Sequence, residues 1–136
     1  MAEPWTSLAE HVKRALVLAK VKVRHEKVFV VGGIHNVDAF DGVLVGEKVD
    51  HELRYRGVVE WGFKTYDVLR LLREARFSRQ RISPFADLHI MRNAAWLEPR
   101  LLAEVSYGEI VDGRLRAPTW RGLVRDEDRS SLSRSR

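Results

Sequence analysis

Residues 96–123 carry the pattern that most limits how this chain can fold. Side chains alternate along an extended strand, so Leu102, Glu104 and Ser106 share one face and Leu101, Ala103, Val105 and Tyr107 the other. Asp112-Gly113 follows, a dipeptide that supplies the positive φ angles of a tight hairpin turn. A second strand runs from Gly113 to Leu123 and carries Arg114, Arg116 and Arg121 around a Trp120 that reads as exposed. Basic residues interleaved with an aromatic suit a phosphate backbone and a base or sugar face.

The same period of two recurs upstream. Val21 and Val23 alternate with Lys20, Lys22 and Arg24, which puts the three cations on one face. His25-Glu26-Lys27 reads as a turn or bulge, and Val28–Gly33, Phe40–Gly46 and Leu53–Val59 as further strands. Glycines inside these runs mark bulges or sharp bends. One internal helix follows. Thr65 is its candidate cap, and Val68, Leu69, Leu71, Leu72 and Ala75 form its apolar face. Arg76–Arg81 is a basic connector, which Ser83-Pro84 ends. Ser7-Leu8-Ala9-Glu10 fits a capping box, so a short helix is predicted from about Ser7 to Leu16, covering one end of the fold. About five strands with a helix between the third and fourth fit an all-β OB-fold, a five-stranded Greek-key barrel. The predicted organisation is a helical extension over 1–16, an OB domain over 17–124, and a polar, disordered tail over 125–136.

At 136 residues the chain has the size of one domain. It contains no cysteine, no apolar run near the roughly 20 residues of a membrane span and no secretory signal pattern, which fits a cytoplasmic, non-membrane protein. Lys and Arg total 24 against 19 Asp and Glu, a net +5 with an isoelectric point near 9.9, consistent with a polyanionic partner. The histidines show no metal-ligand spacing, so no metal site is predicted.

Trp96, Pro99, Leu101, Leu102, Glu104, Val105 and Tyr107, followed by Gly113-Arg114-Leu115-Arg116-Ala117-Pro118 and Gly122-Leu123, resemble the end of the C-terminal OB-fold domain of bacterial ATP-dependent DNA ligases of the ligase D type. That family has W-x-x-P-x-L-V-x-E-V-x-F and then G-x-L-R-x-P-x-F-x-G-L-R-x-D-K. Earlier blocks agree in order: Lys20-Val21-Lys22 resembles nucleotidyltransferase motif V, and Val28–Gly33 resembles the F-V-V-G-G after it. Phe40–Gly46, Tyr55-Arg56-Gly57 with Gly62-Phe63, and Ser83-Pro84-Phe85 also match.

The departures bear on chemistry. The family's nucleophilic lysine in K-x-D-G and its nucleotide pocket precede motif V, and no counterpart is present. Lys48-Val49-Asp50-His51 lacks the glycine and lies within the OB region. Motif VI, R-x-D-K in the family, reads Val124-Arg125-Asp126-Glu127, so only Arg125 and Asp126 of a degenerate motif remain. The family uses that motif's positive charge on the leaving pyrophosphate, a role that needs a cation.

The resemblance implies a DNA-binding OB domain acting in DNA repair, recombination or end joining on duplex or nicked DNA, without catalytic residues or ligase activity of its own. ATP and Mg are the parent family's cofactors, and none is expected in this chain. Candidate DNA contacts are Lys20, Lys22, Arg24, Arg114, Arg116, Trp120 and Arg121. Arg73, Arg76, Arg79 and Arg81 read instead as solvated charges, Trp61 and Trp96 as core or rim, and Trp5 as a seal on the barrel end. Two other readings stand beside this one: a protein-interaction module docking on a repair partner, and a subunit that restores a split ligase with a separate nucleotidyltransferase. The Met1 start and the Arg/Ser-rich tail favour a stand-alone product over a fragment.

Overall fold

The computed structural model describes residues 4–18 and 23–124, with side chains for 8–15 and 23–124. Lys20, Lys22, Arg125, Asp126, the tail and the Trp5 side chain lie outside the described residues.

A first helix, α1 (Pro4–Leu18), is longer than the sequence pattern suggests. Its side chains from Leu8 to Ala15 are all exposed, so none of them seals a barrel end. The strands are β1 (His25–His35), β2 (Gly42–Val49), β3 (Glu52–Val59), β4 (Ala94–Trp96), β5 (Leu102–Tyr107), β6 (Ile110–Val111), β7 (Arg114–Leu115) and β8 (Thr119–Leu123). The helix α2 (Thr65–Glu74) lies between β3 and β4. His25–Lys27 is no turn: it is the start of one eleven-residue strand, and Val23 precedes that strand. Alternating Val, Phe and Ile let β1 pair along its length, with β5 on one side and with β2 and then β4 further on.

The antiparallel order is β3-β2-β1-β5-β8, with β4 beside β1. The sheet curls until its outer edges meet. Just past β3, Trp61 bridges Thr119 of β8 in parallel, and the Trp120 N–H donates to the Trp61 carbonyl at 2.7 Å. This is the OB-fold arrangement, with α2 between the third and fourth long strands.

Curvature comes from three bulges. Gly32 is the extra residue opposite Val45 and Leu44. Arg56 is extra between Gly57 and Tyr55, and Arg121 between Gly122 and Trp120. Such bulges bend a strand and re-aim a side chain. Asp112 and Gly113 both have positive φ, as the hairpin reading requires, but they close the small β6–β7 hairpin rather than β5–β8. Asp50 and His51 also have positive φ and form the β2–β3 turn, so the Lys48–His51 segment is the end of β2 and its turn.

Two apolar clusters pack the two faces of the sheet. Inside lie Phe29, Val31, Val45, Val105, Leu115 and Trp120. Outside, Phe85 from the α2–β4 connector packs with Leu44, Tyr55 and Trp96. The stripe of α2 is narrower than its sequence suggests. Leu71 is buried and Val68 half-buried, whereas Leu69 and Leu72 are exposed, because the helix docks only one row of side chains. Its cap is Lys64, whose backbone N–H donates to Asp67 Oδ2 at 2.8 Å, and not Thr65.

Candidate nucleic-acid interface

Four of the sequence-predicted contact arginines fall among the described residues, and the fold divides them. Arg24 is turned inward against distant parts of the chain. Its Nη2 donates to the Ala117 carbonyl at 2.7 Å and, at 3.2 Å each, to Ser106 Oγ and Thr119 Oγ1. Ala117 has φ 47°, a left-handed conformation unusual for a residue with a side chain. Arg24 therefore ties β5 to the turn entering β8, and its first role is structural.

Arg114 is consumed in a similar way. Its Nη1 donates to the Tyr55 carbonyl at 2.9 Å, and its guanidinium lies 4.6 Å from the Tyr55 ring centroid. Burial pushes the Tyr55 phenol up, and Arg114 offsets only part of that. Beside them, Glu47 accepts from Lys27 at 2.6 Å and from Arg56 at 2.8 Å, joining β1, β2 and β3. Burial raises the Glu47 carboxyl, but those two hydrogen bonds outweigh it and hold it below its ordinary value.

Arg116 and Arg121 are different. Their side chains are 65% and 55% exposed, and their nearest carboxylates, Glu109 and Glu26, stand at 3.7 and 3.6 Å. Long, exposed pairs of this kind contribute little and exchange readily for a phosphate. Arg121 is the extra residue of the β8 bulge. Arg24 and Arg116 also line one open cleft of about 550 Å³ with Val23, Gly108, Glu109 and Ala117. Glu104 is exposed and joins no ion pair among the described residues.

Trp120 corrects the sequence reading. It is 2% exposed and stacks on Phe63 with ring centroids 4.7 Å apart. A base cannot reach it. Trp120 pairs with the buried Val105 and faces inward with it, while Arg121 faces out; alternation puts the two on opposite faces without saying which face is inside. Its register with the family pattern's phenylalanine was the available sign of a core position. Trp61 is the exposed indole, at 71%, while Trp96 is buried as expected.

Val124 is buried, and its N–H donates to the Leu102 carbonyl at 2.8 Å. The position in register with the first arginine of motif VI thus faces the core. Among the described residues no three His, Asp or Glu side chains gather to hold a metal ion, and no helix is long and apolar enough to cross a membrane.

The family model for the ATP-dependent DNA ligase C-terminal region matches residues 37–127, more than half of the chain. The chain belongs to this family. It is 29% identical over 136 residues to the multifunctional non-homologous end joining protein LigD of Mycolicibacterium smegmatis, covering 93% of this chain and 18% of that protein. Among solved structures, the ligase domain of M. tuberculosis LigD superposes with a TM-score of 0.66 at 26% identity, over 74% of this chain and 35% of that one. A mycobacterial DNA ligase D complexed with ATP and MES gives 0.61 at 27%, over 75% and 35%. The chain thus spans about a fifth of the LigD protein and about a third of these ligase domains. As a ligase C-terminal domain, it has the OB strand order, with α2 between β3 and β4.

Proposed function

We propose that this ligase C-terminal domain engages duplex or nicked DNA without sequence preference, in repair or end joining, and does not seal breaks by itself. The observation that carries the reading is the loose pairing of Arg116 and Arg121 on a ligase-family fold. Exposed guanidinium groups beside weakly held carboxylates suit phosphate oxygens, which fix position and carry no sequence information. Sealing would require a separate nucleotidyltransferase domain, with its own ATP and Mg.

Fluorescence anisotropy with nicked, intact and single-stranded DNA across a salt series tests the reading. Affinity that falls steeply with salt, with intact duplex and nick both bound, is the expected result. No binding of any of these DNAs at low salt would rule it out. The reading would then pass to a protein partner.

A further inference from the structure

OB domains ordinarily present the face of their second and third strands to an oligonucleotide. Here the α2–β4 connector lies across that face. Phe85 packs over Gly32 and Gly46, where a Cβ at either position would come within 2.7 Å of its ring. The Ala86 N–H donates to the Leu53 carbonyl at 2.8 Å, and the Tyr55 N–H to Asp87 Oδ1 at 2.8 Å, which pairs the free edge of β3. A strand approaching this side meets the outward surface of the connector.

That surface is strongly basic. Residues 75–93 hold four arginines, Arg76, Arg79, Arg81 and Arg92, against the single carboxylate of Asp87, which already accepts from Tyr55. All four arginines are exposed, and none forms an ion pair among the described residues. In this they differ from Arg24 and Arg114, which are held by carbonyls, and from Arg116 and Arg121, which have carboxylate neighbours.

The connector also holds a cleft of about 550 Å³, lined by Phe77, Ser78, Arg81, Ala94, Ala95 and Trp96. Its walls are fixed from outside the loop. Phe77 bridges Leu97, and the Ser78 N–H donates to the Trp96 carbonyl at 2.9 Å. Ser78 in turn accepts from the backbone N–H groups of Arg81 and Ile82, at 3.2 Å on its carbonyl and 3.3 Å on its hydroxyl. Phe77 is about half exposed at the rim.

We propose that this cleft binds an unpaired DNA strand, with a base against Phe77 and flanking phosphates on Arg79 and Arg81. A duplex offers only base edges in its grooves, so an aromatic ring face selects a strand whose bases are free to stack. The ligand is therefore the overhang or frayed end beside a break. The inference rests on the reading that the chain engages DNA and adds a second surface, apart from Arg116 and Arg121.

The test is anisotropy of the full chain with a labelled oligo-dT and, separately, a labelled nicked duplex, over a salt series. Two variants are compared: Phe77→Ala, and Arg79→Ala with Arg81→Gly. Glycine suits position 81, where φ is 54°. Phe77→Ala is expected to weaken oligo-dT binding about tenfold. The double variant is expected to lower the oligo-dT salt slope by about 1.4, for two lost phosphate contacts on a single strand. Both should leave nicked-duplex binding within about twofold of the parent, by the independence of distant sites. Oligo-dT binding unchanged in both variants, or equal losses on both DNAs, overturns the inference while leaving the duplex reading standing. Failure of the unaltered chain to bind either DNA overturns both.

Discussion

Gly62 lies against Trp120 so closely that a side chain has no room there. A Cβ on Gly62 would lie 2.6 Å from the Trp120 carbonyl oxygen and 2.9 Å from its nitrogen, and Gly62 has φ 93°. This contact sits where the end of β3 meets β8, next to the Trp61–Thr119 bridge. Gly62→Ala would strain the backbone and push the two edges apart. A loss of about 2–4 kcal/mol is expected, read as a lower urea midpoint with an unchanged slope. A midpoint within experimental error of the parent would show that the edges do not depend on this approach.

Trp120 lies inside the fold, with its Nε1 buried and without a hydrogen-bond partner among the described residues. Trp120→Ala is expected to cost about 3–5 kcal/mol. Trp120→Phe removes the unpaired N–H and keeps the stack on Phe63, so its cost should stay below about 1.5 kcal/mol. DNA affinity should stay within about twofold in the phenylalanine variant, since no base reaches the ring. A selective loss of DNA binding in that folded variant would return Trp120 to the interface.

Arg24 and Arg121 separate scaffold from contact. Arg24→Ala removes three hydrogen bonds, leaves the buried Ser106 hydroxyl unpaired and frees the strained Ala117. It should destabilise the protein by about 2–3 kcal/mol. Arg121→Ala touches only an exposed, long pair and should change stability by less than about 0.5 kcal/mol. Its effect should appear on DNA, where the duplex salt slope falls by about 0.9 for one lost phosphate contact, and Arg116→Ala should do the same. Denaturation and anisotropy on the same preparations distinguish the two classes.

Glu47 makes stability depend on acid. Burial acts to raise its carboxyl, but the hydrogen bonds from Lys27 and Arg56 dominate and hold it below the ordinary 4.5. A carboxylate whose folded value is depressed stabilises the protein above its unfolded value. That contribution is lost as pH falls through the folded value. Asp87 shares the direction: burial raises it, and the hydrogen bonds from the Tyr55 N–H and its own backbone, together with the charges of Arg114 and Arg54, outweigh that and hold it below its ordinary value. Stability is therefore expected to decline below about pH 4.5. Glu47→Gln should cost about 2 kcal/mol at pH 7, and the gap from the parent should narrow toward pH 2. Urea unfolding of both proteins over that range checks this, and a gap independent of pH would assign the loss to packing.

Much of the scaffold is written locally. The alternation through Leu102–Tyr107, the Asp112-Gly113 turn and the period of α2 each depend on neighbours a few residues away, so period and turn chemistry suffice. The ligase motifs likewise keep their order along the chain. The allocation of charge and aromatic surface was decided elsewhere. Arg24 meets acceptors 82–95 residues away, and Arg114 a carbonyl 59 residues away. No local pattern states which carbonyls a guanidinium will find. In β8, Trp120 lies in the core and Arg121 outside it. Sequence alternation specifies that two residues face opposite ways. Only the packing of the Trp61–Phe63 segment against β8 decides which way is inside, because burial depends on strands brought together from across the chain.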